Sequence, residues 1–324
     1  VAGFACLGSL LAGCSGSAPA ARSKAPPSTP RSTVARPVAP TSLAVHASFA
    51  PFQLPAPVSR EVVLAERSSL LILGGLDAAG SSAAGIFRVS LPGGQLSEAG
   101  SLAMPTHDAG GAILGGAALV FGGGAATVYD AVQSWSPGSQ AATVVSHLPR
   151  ARADLSVAGA AGEAYVVGGY DGAAADAAVL ATGDGRSFRT VASLPQPVRY
   201  AAVAVLHGIL YVFGGESGGS PSAAIQAVDL ASGTARMVGK LPEAVSGAGA
   251  AVLDGRVLVI GGKTSGGYSA AVLAFDPGAG DAVQVGTMPE AVANAGVAVV
   301  GARVYLVGGE GPSTLSRVVQ IADA

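Results

Sequence analysis

The sequence predicts an all-β chain dominated by six four-stranded antiparallel sheets, set radially as the six blades of a propeller. Two observations carry that expectation. Six Gly-Gly doublets, Gly74-Gly75, Gly122-Gly123, Gly168-Gly169, Gly214-Gly215, Gly261-Gly262 and Gly308-Gly309, recur at gaps of 48, 46, 46, 47 and 47 residues. A fixed period in that range marks a repeat architecture. Each doublet also follows a short apolar run rich in Val, Ile, Leu and Tyr, such as Leu210 to Phe213 or Val257 to Ile260, which reads as a buried strand.

Within one repeat the elements follow in order. A first apolar stretch, such as 201–205 or 296–300, comes some twelve to fifteen residues before the doublet. A small turn joins it to the second strand: Ala160-Ala161-Gly162, Leu206-His207-Gly208, Asp254-Gly255 or Gly301-Ala302. Asp-Gly between apolar runs is a strong hairpin signal. After the doublet a polar loop leads to a third strand, for example 227–230 or 272–275. A fourth strand is expected to end at a Leu-Pro or Met-Pro pair: Leu54-Pro55, Met104-Pro105, Leu148-Pro149, Leu194-Pro195, Leu241-Pro242 and Met288-Pro289. Each repeat is thus one antiparallel meander.

Phase predicts how the ring closes. Only one strand, 317–321, follows the last doublet, whereas the stretch 43–49 precedes the first Leu-Pro without a blade of its own. We expect 43–49 to supply the outer strand of blade six, which removes an exposed sheet edge.

The pattern resembles the kelch repeat over roughly residues 42–324. That family's signature is an apolar run feeding a Gly-Gly doublet, then a spaced Tyr and Trp. Blade two keeps the aromatic pair as Tyr129 and Trp135, while Phe87 stands in blade one and Phe275 in blade five. Ala or Val fills most remaining aromatic slots, so reduced aromatic packing between blades is expected.

Residues 1–13 carry no charge and read as the apolar part of a signal peptide. They end in Leu11-Ala12-Gly13-Cys14, which resembles the bacterial lipobox. That resemblance implies cleavage before Cys14 and lipidation of its thiol, hence an extracytoplasmic protein anchored to the membrane of a bacterial cell envelope. Thirteen apolar residues are too few for a spanning helix. The only cysteines are Cys6 and Cys14, so the repeat domain has no disulfide.

Residues 15–41 are almost entirely Ser, Ala, Pro, Thr, Arg and Lys, with Arg22, Lys24, Arg31 and Arg36 as their only charges. A proline-rich segment of that length reaches roughly 80 Å when extended. The repeat domain carries the other 14 basic and all 20 acidic residues, a net −6. An acidic domain without a basic stripe argues against nucleic acid as partner.

In a chain only 12% charged, charge collects in two sets of loops expected to share one face of the ring. The inter-blade loops offer Arg60, Glu61, His107, Asp108, Arg150, Arg152, Asp154, Arg199, Tyr200, Ser246 and Asn294. The loops after the doublets offer Asp77, Tyr170, Asp171, Glu216, Lys263, Tyr268 and Glu310. The kelch resemblance implies that arginines opening the inner strand point into the mouth and hold acidic peptides; Arg152 and Arg199 resemble those positions. Arginine's planar fork suits carboxylates, although the same arginines could instead pair with Asp154 or Glu216 and hold the rim together. We take Arg60, His107, Asp108, Arg152, Asp154, Tyr170, Asp171, Arg199, Tyr200, Glu216, Lys263 and Glu310 as the candidate binding residues.

Catalysis finds weaker support. Kelch-type copper oxidases need a cysteine cross-linked to a tyrosine, and the domain has no cysteine. His46, His107, His147 and His207 show no ligand spacing, so neither copper, zinc nor another cofactor is expected. Arg60, Arg152, Arg199, Tyr200 and Glu216 could imitate the arginine and Tyr-Glu groups of six-bladed sialidases or sialic acid epimerases. The turn 182–188 is similar to the sialidase Asp-box with its aspartate one position late, and we read it as a hairpin turn. The expected role is therefore binding or scaffolding of a protein, peptide or envelope glycan, with a carbohydrate-active enzyme as the alternative.

Overall fold

The structure, a computed structural model, describes residues 44–313 and 315–324. The predicted signal peptide, Cys14 and the basic linker lie outside the described residues.

Six four-stranded antiparallel sheets form the blades, and no helix occurs among the described residues. Blade three illustrates the order: Ser156–Ala160, Glu163–Val167, Ala178–Thr182 and Arg189–Ser193 pair consecutively. Burial changes across a blade for a simple reason. The second strand is covered on both faces by neighbouring blades, so Ser69–Leu73 is buried throughout, and both-face burial yields a continuous apolar run. Outer strands face solvent on one side, and Arg189–Ser193 buries only Ala192.

Two-residue turns join the first two strands of each blade. Ala160 pairs with Glu163, Leu206 with Ile209 and Leu253 with Arg256. In blades two to five the two turn residues both take left-handed backbone, as in His207 (φ 49°) and Gly208 (φ 78°). That geometry matches the twist of paired strands. The turn at 182–188 is also a hairpin turn, in which Asp184 Oδ1 accepts from the Arg186 and Ser187 amides.

The ring closes as phase predicted. Val45–Gln53 pairs antiparallel with Arg317–Asp323, from Val45 opposite Asp323 to Phe49 opposite Val319. Blade six is thereby built from Gly296–Val300, Arg303–Val307, Arg317–Asp323 and the N-terminal strand. One boundary differs from expectation. The outer strand of blade four runs through Leu241-Pro242 to Val245, because Ser222 pairs with Val245 after a register shift.

The core consists of six apolar clusters, each shared by two adjacent blades. Leu70, Ile72, Tyr305 and Val307 join blades one and six, and Tyr211, Phe213, Val257 and Phe275 join blades four and five. Aromatic packing between blades is richer than the eroded motif suggests. Phe275 meets the Tyr211 and Phe213 rings edge-on, at centroid distances of 5.0 and 5.1 Å. Trp135 is buried in the cluster between blades one and two. Its Nε1 donates to the Ser139 carbonyl, and the Arg88 guanidinium lies over its ring. Phe87, by contrast, is exposed.

The doublets tie blades together. The second glycine's N–H donates to a carbonyl in the next inter-blade loop, at 2.7–3.0 Å in all six cases; Gly169 to Val198 and Gly309 to Val58 are two of them. The first glycine lies close beneath the same carbonyl. A Cβ on Gly168 (φ +60°) would stand 2.3 Å from the Val198 oxygen. No side chain fits there.

Candidate functional site at the channel mouth

Counting back from each doublet gives the site its plan. The residue fourteen positions before the first glycine is Arg60, Asp108, Asp154, Tyr200, Gly247 or Asn294. All six have left-handed backbone, with φ between 53° and 62°. Each N–H donates to the carbonyl of the preceding blade's equivalent residue, and Arg60 to that of Asn294, closing a ring of six hydrogen bonds of 2.8–3.1 Å. Asp and Asn tolerate this backbone region; Arg and Tyr do so only where their surroundings enforce it. Five non-glycine residues thus hold left-handed backbone around one opening, a conformation unfavourable for Arg60 and Tyr200. All six border one cavity of about 130 Å³ on the ring axis.

One position earlier, Ser59, His107, Ala153, Arg199, Ser246 and Ala293 bridge antiparallel to Leu76, Gly124, Tyr170, Glu216, Lys263 and Glu310. This second tier brings the post-doublet loops over the mouth. The two tiers interlock through charge. Arg60 donates to Glu310, to Asp108 Oδ2 at 2.9 Å and to the Tyr200 hydroxyl at 2.9 Å. Arg199 bonds Glu216 at 2.7 Å and Asp154 at 3.3 Å, and lies 4.8 Å from the Tyr170 ring centroid. Asn294 donates to Glu310 at 3.0 Å.

The electrostatics follow from burial. Burial, reinforced by the neighbouring Asp108 carboxylate, pushes Asp154 up to about 6, against the pull of the Tyr200 hydroxyl and Arg199. Burial also raises Asp108 and, with the two aspartates, the Tyr200 phenol. Glu310 is partly buried too, yet its bonds to Arg60 hold it below the usual carboxylate range. Burial and nearby Arg60 lower His107, whose Nδ1 sits 2.9 Å from Ser82 Oγ.

The predicted residues divide accordingly. Arg60, Asp108, Asp154 and Tyr200 line the cavity, with His107, Tyr170, Arg199, Glu216, Lys263 and Glu310 in the tier above. Lys263 is exposed, its ammonium 5.8 Å from the Tyr268 ring centroid. Asp171 is exposed and caps its own loop, accepting from the Ala173 and Ala174 amides. Arg152 does not reach the mouth. It is only 2% exposed, pairs with Asp176 at 2.9 Å and donates to the Gly168 carbonyl. The reason is register: it lies sixteen residues before its doublet, where the other blades place Val58, Thr106, Val198, Val245 and Val292. That position faces the seam between blades.

Two residues outside the candidate set belong to the site. Asn294 completes the ring. Glu61 lies directly beneath it, thirteen residues before its doublet, where the other blades carry Ala109, Leu155, Ala201, Ala248 and Ala295. It is 6% exposed, and its Oε1 accepts the Gly296 N–H at 3.1 Å. Burial pushes its carboxyl up to about 8. Aligning the six repeats on their doublets exposes it as a lone acid in a column of small apolar residues.

Fold and site together define a six-bladed β-propeller with a charged, internally paired mouth. No protein-family model and no curated protein matches the chain.

Proposed function

We propose that this chain is a binding or scaffolding module of the kelch type that engages a protein, peptide or envelope glycan at the channel mouth. The observation that carries the reading is the ring of Arg60, Asp108, Asp154, Tyr200 and Asn294 in left-handed backbone. Ring closure requires only the backbone bonds, and Gly247 makes them without a side chain. Polar side chains held at strained positions cluster where proteins bind.

Binding is favoured over carbohydrate catalysis by size and by charge pairing. Pockets that enclose small organic ligands run from ~300 Å³ upward, whereas this cavity measures about 130 Å³. Arg60 and Arg199 also have protein carboxylates as partners, which leaves them less available as an anion clamp. A partner would instead rest on the upper tier, where Lys263, Glu216 and Tyr170 stand at the opening.

Arrays of peptides and envelope glycans test this reading. Replacing Lys263 and Glu216 by alanine is expected to weaken capture at least tenfold, with no more than the small loss of Tm that breaking the Glu216–Arg199 pair brings. Unchanged capture by the double variant would remove the mouth as the binding surface.

The lipobox-like Leu11-Ala12-Gly13-Cys14 supports a lipid-anchored, extracytoplasmic location. The basic, proline-rich 15–41 segment would then act as a tether near anionic headgroups. Palmitate labelling of cells expressing the full chain should mark the wild type and not Cys14→Ser. Equal labelling of both would end the anchor proposal.

A further inference from the structure

We infer that the cavity inside the mouth receives a primary ammonium group, the tip of a lysine side chain on a protein or peptide partner. This rests on the binding reading above and names the chemistry of its ligand.

The cavity wall carries three acids, Glu61, Asp108 and Asp154, and one guanidinium, Arg60, while Lys263 in the tier above is exposed. Glu61, Asp108, Asp154, Glu216 and Glu310 gather at the mouth, and two guanidiniums, Arg60 and Arg199, serve the last four. Among the described residues no cation pairs with Glu61. One of its oxygens accepts the Gly296 N–H; the other, Oε2, is enclosed and has no hydrogen-bond partner among the described residues, and the residue itself borders the cavity. A buried polar atom left unmatched costs free energy that a partner recovers. Burial holds the Glu61 carboxyl protonated up to about 8, so a cation that pairs with Oε2, once the enclosed carboxyl turns toward the cavity, displaces that proton.

Shape and stoichiometry select the ligand. About 130 Å³ holds roughly four waters' worth of liquid volume at ~30 Å³ each, enough for a slim alkyl stem and its head group. Leu155, Ala248 and Ala295 give that stem apolar walls. An ammonium is a compact point charge with three donors. A guanidinium is a wider planar fork that needs paired coplanar acceptors. A metal ion is disfavoured, since no group of three His, Cys, Asp or Glu residues among those described is close enough to hold one.

The test uses the full chain and n-butylammonium chloride, titrated calorimetrically at pH 7 and constant ionic strength. n-Butanol supplies the same shape without charge, and potassium chloride supplies charge without the stem. Saturable binding of butylammonium alone is expected, with proton release visible as a buffer-dependent enthalpy. Glu61→Gln should weaken that binding at least tenfold. The inference is overturned if wild type shows no saturable butylammonium binding, if n-butanol or potassium binds equally well, or if Glu61→Gln binds as tightly as wild type. Should Glu61→Gln fail to fold, the contrast between the three probes on wild type decides. If array ligands still depend on Lys263 and Glu216 while butylammonium does not bind, the lysine pocket falls and the binding module stands. If neither holds, the reading of the mouth falls as well.

Discussion

A single step of register separates Arg152 from Arg199, and it changes what each guanidinium does. Arg199 reaches solvent and the mouth carboxylates; Arg152 is enclosed between blades with Asp176. Removing one partner of a buried ion pair leaves the other charge uncompensated, at a cost of about 3–5 kcal/mol. Arg152→Ala should therefore lower Tm sharply and leave the affinity of the surviving folded fraction intact. A variant of unchanged Tm would show that the seam tolerates the loss. Glu61 gives the second residue-scale prediction, in pH. Its folded-state value, about 8, lies above the ordinary 4.5 because of burial, with Glu310 as the nearby acid and the Gly296 amide as its donor. Between those values folded Glu61 binds more protons than it does in the unfolded chain, so its contribution to stability is greatest below about 4.5 and declines as pH rises to about 8. Thermal scans across that window should show the Tm of wild type falling relative to that of Glu61→Gln as pH rises. Parallel profiles would count against a buried, neutral Glu61.

At the scale of elements, the doublet and the inter-blade aromatics hold neighbouring sheets together. Gly168→Ala would place a Cβ 2.3 Å from the Val198 carbonyl at φ +60°. Backbone of that kind costs a non-glycine residue about 1–2 kcal/mol before any clash is counted. We expect a loss of at least ~2 kcal/mol by denaturant titration, and a neutral result would mean that the seam can open without penalty. Phe275 fills the gap between blades four and five against Tyr211 and Phe213. Truncating a buried Phe to Ala typically costs about 3–5 kcal/mol, so Phe275→Ala should destabilise far more than Phe87→Ala on the exposed outer face. Similar effects from the two would contradict the packing described.

Closure acts on the whole molecule, since every apolar cluster is shared and no blade owns a core. The strand Val45–Gln53 contributes Val45 to the cluster between blades five and six and Ala50 to that between blades six and one. It also covers the edge of Arg317–Asp323. Deleting residues 42–54 should therefore lower Tm and expose an edge that drives self-association, seen by light scattering. A monomeric deletion variant with unchanged Tm would refute this account of closure.

The number of blades, the strand order and the identity of the closing strand were all legible in the sequence. They follow from local rules that repeat: apolar runs for strands covered on both faces, glycine pairs where carbonyls approach, and turn residues at hairpins. Phase counting then leaves one arrangement that pairs every edge. Most of the mouth was legible as well, because it lies at a constant offset from the doublets. What the tertiary structure decided was direction and partnership. Arg152 turned into the seam, Glu61 came to lie beneath the ring with no cation beside it among the described residues, and Arg60 found Asp108, Tyr200 and Glu310, which lie 48, 140 and 250 residues away. Such contacts depend on how six separately specified blades meet around an axis, and no local pattern in a single chain segment encodes that meeting.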